Sequence, residues 1–318
     1  MNLSALLLCF LFISDVDASN GERTFAETRV FTFHHNLWLN AHHWLRNLAR
    51  MQGNPRLKDK VAQMLADLNE QERQVAAEVT AYYRERWAPA DLLFDKEMLQ
   101  LKKAVHQYGH LALEKGSFSQ ALKQNLSAWA PVYQAHWWDG DRKNNEAKVH
   151  DFLKIVKTHE ETLVQRLPAV YGTSWQGKKI RVDVVRTGHW APAYTTDDPD
   201  HIIFLSANRS TPTAELGLEI MFHEASHLWF GEIYQRLAAT FSAAEKDPGR
   251  LWHTLLFVSV GHEVRRILGP QFRTYSEFNG LDQRQPRLYQ LARQWWIPYL
   301  DGKITRDEAF KGLVKDWP

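Results

Sequence analysis

The string His-Glu-Ala-Ser-His at residues 223–227 constrains this 318-residue chain more than any other feature. Residues four apart lie about 40° from each other around an α-helix and one turn apart along it. On a helix, His223 and His227 therefore project from one face and can share a single tetrahedral metal ion. Glu224 lies one step further round, where its carboxylate can accept a proton from a water held by that ion. The string predicts a helix that carries part of a metal site.

The residues around this string predict a buried helix over 213–230. Apolar side chains occupy most of its faces, and Thr211 or Thr213 is available as the N-cap. Two histidines and a glutamate inside a protein cost free energy unless they have partners, and a metal ion supplies one. A metal-free helix with two hydrogen-bonded core histidines is the alternative interpretation.

The first 18 residues have the pattern of a secretory signal peptide. Residues 6–13 are apolar but too few to span a bilayer, and Val16 and Ala18 suit the −3 and −1 positions of a cleavage site. We therefore expect a secreted or periplasmic protein without a stable membrane anchor after cleavage. Cys9 is the only cysteine and leaves with the signal, so a zinc site must use other ligands.

The charge of the chain is nearly balanced. There are 39 Lys and Arg against 37 Asp and Glu, and no basic stripe stands out. Nucleic acid is therefore not predicted as a partner.

The periodicity predicts an α+β protein that is mostly helical. The expected helices, besides 213–230, are 36–51, 57–68, 69–87, 91–113, 118–136, 144–170, 250–268, 286–299 and 305–316. Strands are expected at 179–185 and 201–206, with an extended segment at 190–196. This pattern divides the mature chain into a helical N-terminal region, 19–172, and a catalytic region, 173–318.

A catalytic zinc ion usually has three protein ligands and one open position. Glu263, on the helix predicted at 250–268, is the preferred third ligand because an inward carboxylate there needs a cation. Glu232 is the rival, although it follows His227 closely in the sequence. His253 and His262 lie on the same helix as Glu263, and either can be a ligand or a donor to a substrate oxyanion.

Other polar residues are candidates for further roles in or near the site. Tyr275 and His253 are predicted to stabilise the oxyanion of a tetrahedral intermediate, whereas a packing role is the alternative for Tyr275 and for Tyr194. A second histidine patch, which packing or capping explains better than a second metal site, consists of His34, His35, His42 and His43.

Residues 201–263 resemble the core of a gluzincin, a zinc metallopeptidase of the thermolysin-like clan, in which an edge strand precedes the His-Glu-x-x-His helix and a Glu-bearing helix follows it. The chain also resembles an uncharacterised family of secreted bacterial proteins. That likeness covers most of the mature chain and rests on residues 33–43, 136–138, 223–227 and 296–303.

The gluzincin resemblance implies a zincin-like core with one zinc ion held by His223, His227 and Glu263, and Glu224 as the base. Ile267 stands where the thermolysin-like pattern has an Asp four residues after the glutamate ligand. A metzincin would need Gly and His where Phe230 and Ile233 stand, so that pattern is excluded.

These observations predict a secreted zinc hydrolase, most consistent with a metallopeptidase that acts on peptides or proteins. Zinc lowers the pKa of its bound water, Glu224 accepts the proton, and the scissile carbonyl is attacked. The alternatives are an inactive zinc-stabilised binding protein and a zinc amidase that acts on a non-protein substrate. The strand at 201–206 is a plausible edge for an extended peptide.

Overall fold

The computed structural model describes residues 22–188, 192–196, 201–205 and 213–317. They form two compact units. The first contains Phe31–His150 with the described residues up to Glu27 and from Arg181 to Ser210. The second contains the described residues of Thr28–Val30, Asp151–Ile180 and Thr211–Pro318. The signal peptide prediction lies outside the described residues.

The unit boundary differs from the division predicted at residue 172. It falls inside one continuous helix, Asp139–Tyr171, between His150 and Asp151. No loop or change in composition accompanies the boundary, so nothing in the local sequence indicates it.

The structure is mostly helical with a small sheet, as predicted. The first unit contains strands β1 (Glu22–Glu27), β2 (Phe31–Asn36), β3 (Ile180–Val185, from Arg181 onward), β4 (Ala193–Thr195) and β5 (His201–Leu205). Its helices are α1 (Leu37–Gln52), α2 (Lys58–Met64), α3 (Glu70–Arg86), α4 (Lys96–Tyr108), α5 (Ala112–Lys115), α6 (Gln120–Tyr133) and the first part of α7 (Asp139–Tyr171).

The five strands form one sheet in the order β1-β2-β3-β5-β4. β3 and β5 run parallel, with Val182 opposite Ile202, and β4 is antiparallel to β5. The predicted strands at 179–185 and 201–206 are therefore present over the described residues.

The hairpin of β1 and β2 is absent from the prediction, in which the helix at 36–51 is the first element of the helical N-terminal region. Residues of β2 alternate between buried and half-buried positions, with Phe31 and Phe33 fully buried. This period of two is the signature of a half-buried strand. The helical pattern begins only after Asn36, whose side chain accepts a hydrogen bond from the Leu39 N–H and caps α1.

Aromatic rings dominate the core of the first unit. Trp44 on α1 lies with its ring centroid 4.9 Å from that of Trp129 and 4.4 Å from that of Trp137. Offset and tilted ring pairs of this kind add to the stabilisation from apolar burial.

The histidine patch of the first unit is hydrogen-bonded side chain by side chain. His34 lies 3.2 Å from Thr24 Oγ1, His35 lies 3.1 Å from Glu146 and His42 lies 2.9 Å from the Tyr83 hydroxyl. His43 lies 3.4 Å from the Tyr194 hydroxyl. These separate partners favour the packing interpretation over a second metal site.

The second unit is built from helices around the His-Glu-x-x-His helix. They are the rest of α7, α8 (Ala214–Trp229), α9 (Gly231–Ala243), α10 (Leu251–Leu268), α11 (Tyr275–Phe278), α12 (Leu281–Arg284), α13 (Pro286–Leu291), α14 (Ile297–Leu300) and α15 (Arg306–Lys315). The sequence predicted α8, α10 and α15 closely, and it did not predict α9. Among the helices that the structure describes, none has the length and apolar character that a membrane span requires.

α8 begins where the sequence indicated. The Thr213 hydroxyl accepts a hydrogen bond from the Leu216 N–H at 3.3 Å and caps the helix. Met221 and Phe222 are fully buried, and each stabilises the fold by about 1.5–3 kcal/mol. Gly217 lets α7 approach closely, because a Cβ there would lie 2.8 Å from the Cβ of Phe152. α8 is therefore an interior helix, as its apolar faces predicted.

Candidate metal centre

Three histidines from two helices of the second unit converge. His223 and His227 lie one turn apart on α8, and His253 lies in the first turn of α10, which packs against α8. The ring centroids are 5.1 Å (His223–His227), 5.2 Å (His223–His253) and 5.4 Å (His227–His253) apart. One nitrogen from each ring lies within 4.8 Å of the other two. This group can hold a metal ion.

Glu263, the predicted third ligand, is not part of this group. It follows His253 on α10 by almost three turns, about 15 Å along the helix axis. Its carboxylate is only 1% exposed and forms ion pairs with Arg166 (2.6 Å) and Arg266 (3.3 Å). Arginine therefore supplies the positive charge that this buried carboxylate needs. The third member of the group beside His223 and His227 is His253.

Glu232 and His262, the two further candidate ligands on these helices, also form separate interactions. Glu232 on α9 forms an ion pair with Arg306 at 3.4 Å. His262 Nε2 lies 3.0 Å from Asp301 Oδ1. Neither belongs to a metal-compatible group among the described residues.

Burial keeps the three imidazoles in the form that binds metals. It lowers the pKa of His227 to about 3 and that of His253 to about 4. The pKa of His223 is lowered well below 6.5 by burial, and further by the charged forms of His227 and His253. All three rings are therefore neutral at pH 7, with lone pairs available for a metal ion.

The polar atoms of the group also fit a cation. His223 Nδ1 is buried and has no hydrogen-bond partner within the described part of the chain. Buried polar atoms normally have a partner, so an unsatisfied imidazole nitrogen beside two other histidines indicates a ligand. His227 and His253 are half-buried, which leaves access from outside the group. This arrangement suits a reactive site better than a closed structural one.

Aromatic rings border the histidines on two sides. Phe257, one turn after His253 on α10, stacks on His223 with the ring centroids 3.8 Å apart, and Tyr275 stacks in turn on Phe257 at 5.9 Å. On the other side, the Trp252 ring meets His227 edge-on at 5.9 Å. The low polarity of these rings raises the cost of a charged imidazole and so helps to keep the group neutral.

A cavity of about 510 Å³ reaches this aromatic border at Phe257 but is not lined by the three histidines. Most of the charged groups in its wall form ion pairs, including Arg293 with Asp282 and Arg265 with Glu277.

Glu219 is a second buried acid on α8. The sequence analysis did not predict it as a site residue. It precedes His223 by one turn, on the same face of α8. Its Oε2 accepts a hydrogen bond from the Tyr275 N–H at 2.7 Å, while its buried Oε1 finds no hydrogen-bond partner among the described residues. Burial raises the pKa of Glu219 to about 8, so this carboxyl is largely protonated at pH 7. The four-residue spacing of residues 219, 223 and 227 is the signal that could have found it.

This protonation predicts that the folded protein loses stability as pH rises from 6.5 to 8.5. The folded-state pKa of Glu219 exceeds the unfolded value of about 4.5. Between these two pKa values the folded state keeps a proton that the unfolded state has lost, so the free energy of unfolding falls as the pH rises toward and through 8. The three buried histidines affect the pH dependence of stability mainly below pH 6.5, because there they become protonated in the unfolded state but stay neutral in the folded state. We expect a loss of about 2 kcal/mol in the free energy of unfolding over this window.

Urea unfolding of the metal-free protein at both pH values measures this loss. Glu219→Gln keeps an acceptor for the Tyr275 N–H but cannot ionise, so its stability is expected to change much less over the same window. Glu215→Gln, on the first turn of α8, is the matched control and should behave like the unsubstituted protein. An equal pH dependence in Glu219→Gln and Glu215→Gln would contradict the assignment.

The remaining predicted site residues are distributed over both units. Glu224 is buried on α8, 6% exposed and adjacent to His223 in the chain. Tyr275 is the first residue of α11 and stacks on the ring that covers His223. Tyr194 belongs to the first unit, where its hydroxyl contacts His43.

Scans against protein-family models, curated proteins and solved structures found no significant match to this chain. The geometry of the second unit is therefore the basis for assigning a function.

Proposed function

We propose that this chain is a zinc-dependent hydrolase that cleaves amide bonds in peptides, with zinc held by His223, His227 and His253. The observation that carries the proposal is the convergence of these three neutral imidazoles, two of them from the His-Glu-x-x-His string that also contains Glu224. Imidazole suits several transition metals, of which zinc accepts a tetrahedral set of three histidines and one open position.

The spacing of the nitrogens is compatible with this ion. Zinc–nitrogen bonds of about 2.0–2.1 Å in a tetrahedral site require nitrogens roughly 3.4 Å apart. The three nitrogens already lie within 4.8 Å of one another, so small side-chain rotations would complete the set. Because the three ligands are neutral, the full positive charge of the ion would remain in the site. The gluzincin set, with Glu263 as a ligand, would cancel one unit of that charge.

When bound, zinc would polarise a substrate carbonyl and acidify a water molecule. Glu224 is the group of this chain that would accept the proton of the attacking water and then pass it to the leaving amine. Tyr275 is the proposed donor to the oxyanion, and its backbone N–H is held by Glu219. His253 is reassigned from that role to metal binding.

The N-terminal signal pattern supports a role outside the cytoplasm. A cell-wall peptide and a free peptide present the same amide chemistry, and the structure favours neither source.

The test is hydrolysis of a diverse peptide mixture by the purified protein, with products identified by mass spectrometry. We expect about one zinc ion per chain, cleavage by the zinc-loaded protein, loss of cleavage with a zinc chelator and recovery when zinc is restored. Zinc binding without cleavage of any peptide or cell-wall amide would contradict the hydrolase and leave a metal-binding protein. Cleavage of free or cell-wall peptides would support peptides as the substrate class, whereas cleavage confined to amides outside peptides would contradict it.

A further inference from the structure

Large exposed aromatic side chains are few in the described part of this chain. They are Phe94 (72% exposed), Tyr234 (50%) and Phe278 (43%). Phe94 lies in the first unit, and the ring of Phe278 faces the guanidinium of Arg273 at 5.7 Å. Tyr234, on α9, is the one whose ring contacts lead toward the three histidines.

Trp252 connects Tyr234 to the metal centre. Its ring meets Tyr234 edge-on with the centroids 5.7 Å apart, and it lies 5.9 Å from His227 and 5.0 Å from His253. Trp252 is only half-buried. The two rings therefore form a continuous aromatic surface, the Tyr234–Trp252 face, from the solvent to two of the three histidines.

The chemistry around this face selects apolar contacts. The charged side chains that flank Tyr234 on α9 are paired, Glu232 with Arg306 and Arg236 with Asp307 at 2.6 Å. They offer little free charge to a ligand. An aromatic ring presents a π-face to which other aromatic or large apolar groups bind. The half-exposed ring of Tyr234 leaves part of this π-face open to a ligand.

The distance to the histidines fits a substrate side chain close to the scissile bond. Two ring-to-ring steps, each shorter than 6 Å, separate Tyr234 from His227. An extended peptide advances about 3.3–3.6 Å per residue. A side chain on the Tyr234–Trp252 face therefore belongs to a residue within roughly four positions of a bond held at the metal centre.

We propose that the Tyr234–Trp252 face is a specificity subsite that binds an aromatic or large apolar side chain of the peptide substrate. This inference rests on the proposed function, because it takes the metal centre as the place where the bond is cleaved. It adds the substrate class: peptides with such a residue within a few positions of the cleaved bond.

The test compares two peptides that differ at one position near the cleavage site, with Phe in one and Ala in the other. The cleavage positions come from mass spectrometry of the unsubstituted protein's products, which are expected to be enriched in nearby aromatic and large apolar residues. Tyr234→Ala is expected to lower kcat/KM for the Phe peptide about tenfold, mainly through KM, with little change for the Ala peptide. Tyr234→Phe keeps the ring and should therefore keep the preference for the Phe peptide over the Ala peptide that Tyr234→Ala loses.

Phe94→Ala is the matched control, since it removes an even more exposed ring from the first unit. It should change neither peptide's kcat/KM, and all variants should retain equal zinc. No enrichment of apolar residues, or an equal loss for both peptides in Tyr234→Ala, would overturn the subsite. An effect of Tyr234→Ala seen only with glycan-bearing substrates would also overturn it, because the occupant would then be a sugar.

Failure of the proposed function gives a different result. If the zinc-loaded protein cleaves nothing, binding of fluorescent Phe and Ala peptides still tests the face by anisotropy. Tighter binding of the Phe peptide that is lost in Tyr234→Ala supports the face without hydrolysis. Equal binding of both peptides, or the same affinity in Tyr234→Ala, overturns it.

Discussion

Replacing His253 by alanine is expected to lower zinc affinity by about two to three orders of magnitude. Zinc binding to structural protein sites with four ligands is worth roughly 10–16 kcal/mol, which is about 2.5–4 kcal/mol for each ligand. A factor of ten in affinity corresponds to about 1.4 kcal/mol. The nitrogen of His253 lies within 4.8 Å of those of His223 and His227, and no carboxylate joins this group among the described residues. The measurement is zinc affinity by competition with a chromophoric chelator.

Glu263→Gln is the matched comparison, because it changes the ligand that the gluzincin resemblance implies. The buried Glu263 carboxylate faces Arg166 and Arg266, so this substitution should reduce stability by on the order of 1–3 kcal/mol. It should leave zinc affinity nearly unchanged. If Glu263→Gln loses zinc and His253→Ala retains it, the three-histidine set is wrong and the gluzincin set is restored.

The choice between these two residues shows where inference from the sequence ends. Both lie on α10, and periodicity predicts that helix and its buried faces. It does not predict which turn of α10 crosses α8, because that depends on how the two surfaces pack. Close contacts at Gly261 contribute to the packing around α10: a Cβ there would lie 2.8 Å from Thr274 and 3.1 Å from Glu219. The buried Glu263 was expected to need a cation, but the sequence could not show that Arg166 and Arg266 supply it.

Other parts of the fold were predictable to different degrees. α8 was predictable from the sequence because its cap at Thr213 and its apolar faces are local signals. The β1–β2 hairpin was missed because its strands lie in a region that was predicted to be helical as a whole, and β2 leads directly into α1 through Asn36. The unit boundary was not predictable, since α7 continues through it without a break.

The aromatic rings that border the metal centre could not be predicted from the sequence either. Phe257 and Trp252 are ordinary apolar residues of a buried helix when only their spacing is considered. Their positions against His223 and His227 arise from the packing of α8 and α10. The same packing places the three imidazoles in low-polarity surroundings that lower their pKa values.

Glu224→Gln is expected to reduce kcat for peptide hydrolysis by about 10²–10⁴ while zinc affinity stays close to that of the unsubstituted protein. Proton transfer by a positioned side chain contributes rate enhancements of this size. Gln has nearly the same shape as Glu, but its amide cannot accept the proton from the attacking water at neutral pH. A loss of kcat without a loss of zinc would separate the base from the ligands, and kcat and bound zinc should be measured on the same preparation.

Glu215→Gln is the control, because it removes a carboxylate from the first turn of the same helix, two turns before the metal centre. It should retain both zinc and activity. The pH dependence adds an independent readout. If Glu224 must be ionised to accept a proton, kcat/KM of the unsubstituted protein falls toward low pH, and the residual activity of Glu224→Gln should lack that acidic limb. Full hydrolysis by a zinc-loaded Glu224→Gln protein would rule out this base, because the water must then lose its proton to another group.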